Sequence, residues 1–417
     1  MELKRVVVTG LGAITPLGKN VTETWENLKK GTSGANMITR FDTTEFKTKF
    51  ACEVKDYNPQ DYFDRKQLRK MDMFVQFAVI ASDQAIEDAG LNSDAFDKDE
   101  VGVIWGAGIG GIQTFQAEIE NWARTKPTPR FNPFFIPKLI SDIAPGEISM
   151  RHGYHGPNYG VVSACASSTN AMIDAFNYIR LGKADAIVTG GSEAAICEAG
   201  LGGFNSMQAL STNNDNYATA SRPFCKSRDG FVMGEGGVSL ILEELEHAKA
   251  RGAKIYGEIV GGGMSADAHH LTAPHPEGLG ATKVMQRALK DAGMKPEDID
   301  YVNVHGTATP RGDIAETLAV KNVFGEHAYD LNISSTKSQT GHLLGAAGAM
   351  EGMIALLSTR DDIVPPTINR DTVDEEIDPK LNLTVGTAQK RIVNAALSNT
   401  FGFGGHNASV IFKKFVD

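Results

Sequence analysis

Gln84-Ala85-Ile86-Glu87-Asp88-Ala89-Gly90-Leu91 returns far along the chain as Arg287-Ala288-Leu289-Lys290-Asp291-Ala292-Gly293-Met294. Each copy reads as the end of an amphipathic helix stopped by glycine. An apolar strand follows each, Val101 to Trp105 in one case and Tyr301 to Val304 in the other. A weaker echo links the strand, turn and helix around Ala171-Met172 to those around Ala349-Met350. Two echoes in the same order indicate a duplication. The join falls near Ala250 to Ala253, giving halves of residues 1–252 and 253–417.

Outward from these segments, short apolar runs alternate with helical patterns. Val6-Val7-Val8, Ala186-Ile187-Val188, Ser239 to Leu242, Ile255 to Val260, Asn332-Ile333 and Val410 to Phe412 read as strands covered on both faces. Such alternation predicts an α/β fold with mainly parallel sheets. Two long Gly/Pro-punctuated connections, Tyr217 to Gly237 and Met264 to Gly280, are where such scaffolds carry sites.

The 417 residues exceed one comfortable core, in keeping with two halves. Lys and Arg number 41 against 51 Asp and Glu, a net charge of −10 that argues against broad nucleic-acid binding. No apolar run approaches the roughly 20 residues that span a bilayer. The first residues read as a strand rather than a signal peptide, so a cytoplasmic protein is expected. Cysteines stand at 52, 165, 197 and 225 with no C-x-x-C pair, which removes the common zinc and dithiol patterns.

Gly106-Ala107-Gly108-Ile109-Gly110-Gly111 fits G-x-G-x-x-G after a strand, which raises a nicotinamide oxidoreductase as an outside alternative. The acidic residue expected about 20 positions on is replaced by Lys126-Pro127-Thr128-Pro129-Arg130, so close packing in a turn is the better reading. Gly190-Gly191-Ser192-Glu193-Ala194 only approaches the G-x-S-x-G elbow of hydrolases and reads as a tight turn. His269, His270 and His275 lack metal-ligand spacing.

Cys165 differs. Val161 to Ser168 runs from a strand into a small-residue turn, and the helix that follows carries Met172, Ala175, Phe176 and Ile179 on one stripe. A thiol at a helix N-terminus is favoured as thiolate. A packing cysteine suits the same turn, so this geometry leaves both readings open. His305 follows the strand Val302 to Val304, and His342 in Lys337-Ser338-Gln339-Thr340-Gly341-His342 is expected to start another small-residue helix. Both would lie at carboxyl ends of strands, as Cys165 does, where α/β sheets place ligands.

Four blocks carry a specific resemblance: Val161 to Ser168, Val302 to Pro310, Lys337 to Glu351, and Ser398-Asn399-Thr400-Phe401-Gly402-Phe403-Gly404-Gly405. In order and spacing the chain resembles the β-ketoacyl-[acyl-carrier-protein] synthases, and most of all the bacterial elongating type II enzymes. The resemblance implies the thiolase fold, two βαβαβαββ halves in a five-layered αβαβα arrangement, in a homodimer. It implies decarboxylative Claisen condensation through an acyl group on Cys165, with His305 and His342 as neutral donors. No cofactor is implied beyond the phosphopantetheine arm that arrives on acyl carrier protein. A polyketide ketosynthase remains the alternative. A non-catalytic chain-length partner would lack the cysteine.

The same resemblance implies the supporting roles. Lys337 and Glu351 correspond to a buried charged pair, and Asp313 to a further support; nine residues separate His342 from Glu351, so these two are expected along one helix. Thr307, Thr309 and Thr272 correspond to contacts for the phosphopantetheine arm and substrate, Ile109 and Phe204 to the acyl tunnel. Phe401 and Phe403 correspond to a gate, with Asp267 and His270 on the loop that moves with it. Asn303, Glu351, Ser398 and Asn399 correspond to a monovalent-cation site in some members; otherwise no metal is expected. His406 departs from the usual threonine. For carrier docking, Arg65, Lys66, Arg69 and Lys70 would form one cationic helical ridge, joined by Arg124, Lys126 and Arg130.

Overall fold

The computed structural model describes residues 3–91, 96–125 and 130–416. Five strands come from the first half: β1 (Val6–Ile14), β2 (Val101–Gly106), β3 (Asn158–Val161), β4 (Ala186–Glu193) and β5 (Gly236–Glu244). The second half supplies β6 (Gly257–Ala266), β7 (Tyr301–Asn303), β8 (Asn332–Ser334), β9 (Ala395–Gly402) and β10 (His406–Lys413). Their order across the sheet is β8-β7-β9-β10-β6-β1-β5-β4-β2-β3. Counted from β1 or from β6, the sequence of strands is the same. The duplication seen in eight residues is therefore a duplication of topology.

The two half-sheets meet antiparallel where Val6, Val7 and Val8 pair with Ile259, Glu258 and Gly257. Within the first half, β2 runs parallel to β3 and β4, while β5 is antiparallel to β4 and β1. The second half repeats this pattern. The sheet is thus mixed rather than mainly parallel. In the second half the closing strand β10 returns through a tight connection from β9, which only an antiparallel pair permits.

Five helices define the layers: α1 (Met73–Ala89), α2 (Ser167–Arg180), α3 (Leu279–Ala292), α4 (Gly312–Phe324) and α5 (Ala347–Asp361). Between the half-sheets, α2 and α5 share one core with Ile104 and Ile187 from one side and Tyr301 and Val410 from the other. On the outer face of the first half, α1 packs with Val103, Trp105 and Val188. On the opposite outer face, α3 and α4 pack with Val302, Leu397 and Ile411. Adjacent strand residues such as Val103 and Ile104 face different cores, which is why these strands are apolar throughout. The result is the five-layered helix–sheet–helix–sheet–helix arrangement.

The repeat extends to close packing. A Cβ on Gly10 would come within 2.7 Å of Ala89 Cβ, and one on Gly261 within 2.7 Å of Ala292 Cβ. Both helices then end on left-handed glycines, Gly90 at φ 67° and Gly293 at φ 64°.

Candidate active site

Ala164, held at φ 51°, turns the chain out of β3 so that Cys165 stands two residues before α2. The sulfur opens into a cavity of about 830 Å³ that His305, His342, Phe401 and Phe403 also line. His342 Nε2 lies 3.0 Å from Cys165 Sγ. The His305 ring meets the His342 ring edge to face, with centroids 5.2 Å apart. Three separate stretches of chain thus converge on one space, and Cys165 is the one cysteine among the described lining residues.

The electrostatics correct one expectation. The position ahead of α2, the Phe403 N–H directed at the sulfur and the nearby Lys337 charge all favour thiolate, but burial outweighs them and pushes the thiol up to about 12. The resting sulfur is a thiol. Burial, followed by the Lys337 cation, holds both histidines well below their usual range, so both rings are neutral near pH 7. Both Nδ1 atoms are buried without a partner, and either tautomer of His342 satisfies its sulfur contact.

His342 is not at the start of α5, as its sequence suggested. It sits between a short helix, Lys337–Thr340, and a turn at Leu344–Ala346, so His342 and Glu351 do not share a helix. Leu344, at φ 51°, breaks the path between them. Glu351 nevertheless reaches back to pair with Lys337, both fully buried. Asp313 accepts from the backbone N–H groups of Phe224 (2.8 Å) and Ala308 (3.1 Å), bracing the Thr307–Thr309 loop. Thr307 and Thr309 face each other, 3.2 Å between hydroxyls, and line the same cavity as Thr272. Ile109 and Phe204 line its apolar end, where Phe204 packs 6.5 Å from Phe403. Asp267 lines it as well, but His270 does not: its Nδ1 accepts from Thr272 and Ala273 N–H within its own exposed loop.

Comparison with known proteins agrees with this geometry. The beta-ketoacyl synthase N-terminal domain matches residues 3–248 and the C-terminal domain residues 256–371. The chain belongs to the β-ketoacyl synthase family. A relative from Staphylococcus aureus (strain COL), 3-oxoacyl-[acyl-carrier-protein] synthase 2, is 49% identical over 412 residues, with 99% of both chains covered. One of the same name from Synechocystis is 49% identical over 415 residues, covering 100% of this chain and 99% of that one. A Burkholderia phymatum beta-ketoacyl synthase superposes with a TM-score of 0.90 at 35% identity, covering 99% and 100% of the two chains. A type II PKS ketosynthase in complex with its acyl-carrier protein superposes at 0.91 and 31%, with the same coverage.

The remaining assignments fare unevenly. Arg65, Lys66, Arg69 and Lys70 are all exposed, but the helix there is one turn, Arg65–Leu68, capped by Asp64. Lys70 leans over the Phe134 ring at 5.7 Å, so the cations form a cluster rather than a helical ridge. Exposed Arg124 pairs with Glu120 and Arg130 is exposed, while Lys126 lies outside the described residues. For the cation site, Asn303 and Ser398 are partners across β7 and β9. Asn303 Oδ1, Ser398 Oγ and Glu351 Oε2 are buried without partners, a hard-oxygen set that fits such an ion, whereas Asn399 Oδ1 is taken by Ser409. No group of three or more His, Cys, Asp or Glu side chains that could hold a metal ion occurs among the described residues.

Sequence reasoning missed three residues. Glu316 accepts the backbone N–H groups of His305 and Gly306, each at 2.8 Å, and so fixes the segment that presents the ring. Arg228 donates to the carbonyls of Thr309 (3.1 Å) and Pro310 (2.6 Å). Glu193 receives the N–H groups of Gly108, Ile109 and Gly110, which overturns the dinucleotide alternative: amides that would cradle a pyrophosphate are already satisfied. Only for Glu193, an acid closing the apolar strand β4, was there a signal in the sequence; Glu316 stands within α4 and Arg228 in the loop before β5.

Proposed function

We propose that the chain condenses an acyl thioester with malonyl-acyl carrier protein, releasing carbon dioxide and a β-ketoacyl-acyl carrier protein in fatty-acyl elongation. The observation that carries this reading is the 3.0 Å contact between His342 Nε2 and Cys165 Sγ, with His305 beside it, in one cavity. The sulfur attacks the acyl carbonyl, the bond to the carrier sulfur breaks, and the thiol proton leaves with the carrier, relayed by His342. The backbone N–H groups of Cys165 and Phe403 hold the oxyanion of that step. Malonyl thioester then loses carbon dioxide, and the electron pair moves onto the thioester oxygen, where two neutral imidazole N–H groups stabilise it. The enolate carbon attacks the acyl-cysteine and expels the Cys165 sulfur, which regains a proton.

Neutral rings suit this step, because an imidazolium pair beside Lys337 would repel itself and raise the cost of burial. Thr307 and Thr309 would hold the phosphopantetheine arm, the only prosthetic group the reaction calls for. Asn303, Ser398 and Glu351 would hold a monovalent cation, whose charge would offset the buried Glu351 carboxylate. The exposed cations at Arg65, Lys66, Arg69 and Lys70 suit an acidic carrier on a chain whose net charge is −10.

A homodimer is supported by β3, an open edge of the sheet, beside which Met150 and Val162 are 67% and 62% exposed. No described helix is long and apolar enough to cross a membrane. We place the reaction in the cytoplasm, where a carrier-borne substrate is met.

Incubation with acyl- and malonyl-carrier proteins, following carbon dioxide and β-ketoacyl product, tests the reading. One two-carbon extension per turnover is expected, and none with Cys165→Ala. Carbon dioxide without a new carbon–carbon bond would overturn it. Poly-β-ketone products would favour the polyketide alternative.

A further inference from the structure

Glu193 ends β4 with no exposed surface, yet its partners are all main-chain N–H groups. Oε2 accepts from Gly108 at 2.8 Å and from Gly345 at 3.0 Å, Oε1 accepts from Gly110 at 3.2 Å, and the Ile109 N–H lies between the two oxygens. Three of these donors belong to the first half of the chain. Gly345 belongs to the second. A Cβ on either Gly108 or Gly345 would stand 2.7 Å from Oε2, so the carboxylate fills the space those glycines leave. The clamp therefore needs two glycines and one acid in register.

Both clamped segments lead into the cavity. Ile109 and Leu344 both line it, and Leu344 is held at φ 51° only two residues beyond His342. Leu344 packs in an apolar cluster with Phe231, against which Phe204 and Ile112 lie. The apolar end of the cavity is thus bounded by the two turns that Glu193 joins.

We propose that Glu193 is a positioning residue that sets how long an acyl chain the cavity accepts, by fixing the Ile109 turn against the Leu344 turn. The proposal rests on the condensing reading above and assigns that site its length determinant. Four N–H donors around one carboxylate leave no place for a side-chain amide. A glutamine offers one oxygen and directs an NH2 group at donors, which leaves buried N–H groups unpaired and shifts the turns. A longer acyl chain would press more methylenes against those turns than a short one, so the effect is expected to grow with chain length.

The test compares acyl transfer to Cys165 from butanoyl- and tetradecanoyl-carrier protein. Glu193→Gln is expected to lower kcat/KM for the long acyl group about 10-fold more than for the short one, the scale of discrimination an apolar pocket provides. Gly108→Ala keeps the carboxylate but pushes its Cβ against it, and is expected to shift the ratio in the same direction. A merely structural role would lower the melting temperature and leave the ratio alone. An unchanged long-to-short ratio in folded Glu193→Gln overturns the proposal, and where that variant does not fold, an unchanged ratio in Gly108→Ala does so. Failure of the parent protein to form any acyl-enzyme would instead sink the condensing reading.

Discussion

Gly404 donates its backbone N–H to the carbonyl of Leu271 at 2.7 Å, fastening the glycine run behind Phe403 to the loop in front of the cavity. Asp267 strengthens the joint: its N–H donates to Gly405 at 2.9 Å, and its Oδ1 accepts from Asn407 at 2.8 Å. Two loops so fastened move together or not at all. Should they move, Phe403 would be carried with them.

Releasing that joint should uncouple the two half-reactions. Asp267→Ala removes one side-chain hydrogen bond, worth about 1 kcal/mol or about fivefold in the open-to-closed ratio. We expect carbon dioxide release from malonyl-carrier protein in the absence of any acyl donor to rise several-fold. An unaltered background rate would show that these loops do not govern entry.

The buried thiol gives a pH signature. With Cys165 pushed up to about 12, the reactive anion grows about tenfold per pH unit across the neutral and alkaline range. Inactivation by iodoacetamide should therefore accelerate steadily from pH 7 to pH 10. A plateau below pH 9 would mean that the sulfur is already ionised at rest.

The imidazoles give the opposite signature. Both sit well below their ordinary range, so neither gains a proton between pH 8 and pH 6, and malonyl decarboxylation should stay flat over that window. His305→Ala or His342→Ala should slow decarboxylation by about 100-fold or more, the usual cost of losing an oxyanion donor, while some acyl transfer survives. Either variant decarboxylating at the parent rate would remove that ring from the scheme.

Charge reversal at Lys66 and Arg69 separates docking from chemistry. Turnover of carrier-bound substrate should fall about 10-fold at low salt, with a smaller effect on small acyl thioesters. Equal slowing of both substrate types would place docking elsewhere.

The sequence disclosed most of what its own periodicity and punctuation record. Gly90 and Gly293 announced the repeated helix ends, and the strand-to-turn settings of Cys165, His305 and His342 proved to share one cavity. What it hid depends on burial. Asn399 and Thr400 are polar yet enclosed in β9, where Ser409 and Thr169 partner their side chains inside the protein. Glu193 and Glu316 bind backbone N–H groups, and a backbone partner leaves no mark in the residue pattern. For Cys165 the helix that follows was legible, but the desolvation that reverses its effect was not.

The core between the half-sheets belongs to neither half alone: α2 packs on α5, and Ile104 shares its surroundings with Val410. Released from its sister, either half would present a broad greasy face to water. A half-length ancestor could have stayed in solution only by clasping a copy of itself. Gene fusion would then have made that embrace permanent and freed the two descendants to diverge, one keeping the sulfur and the other the rings.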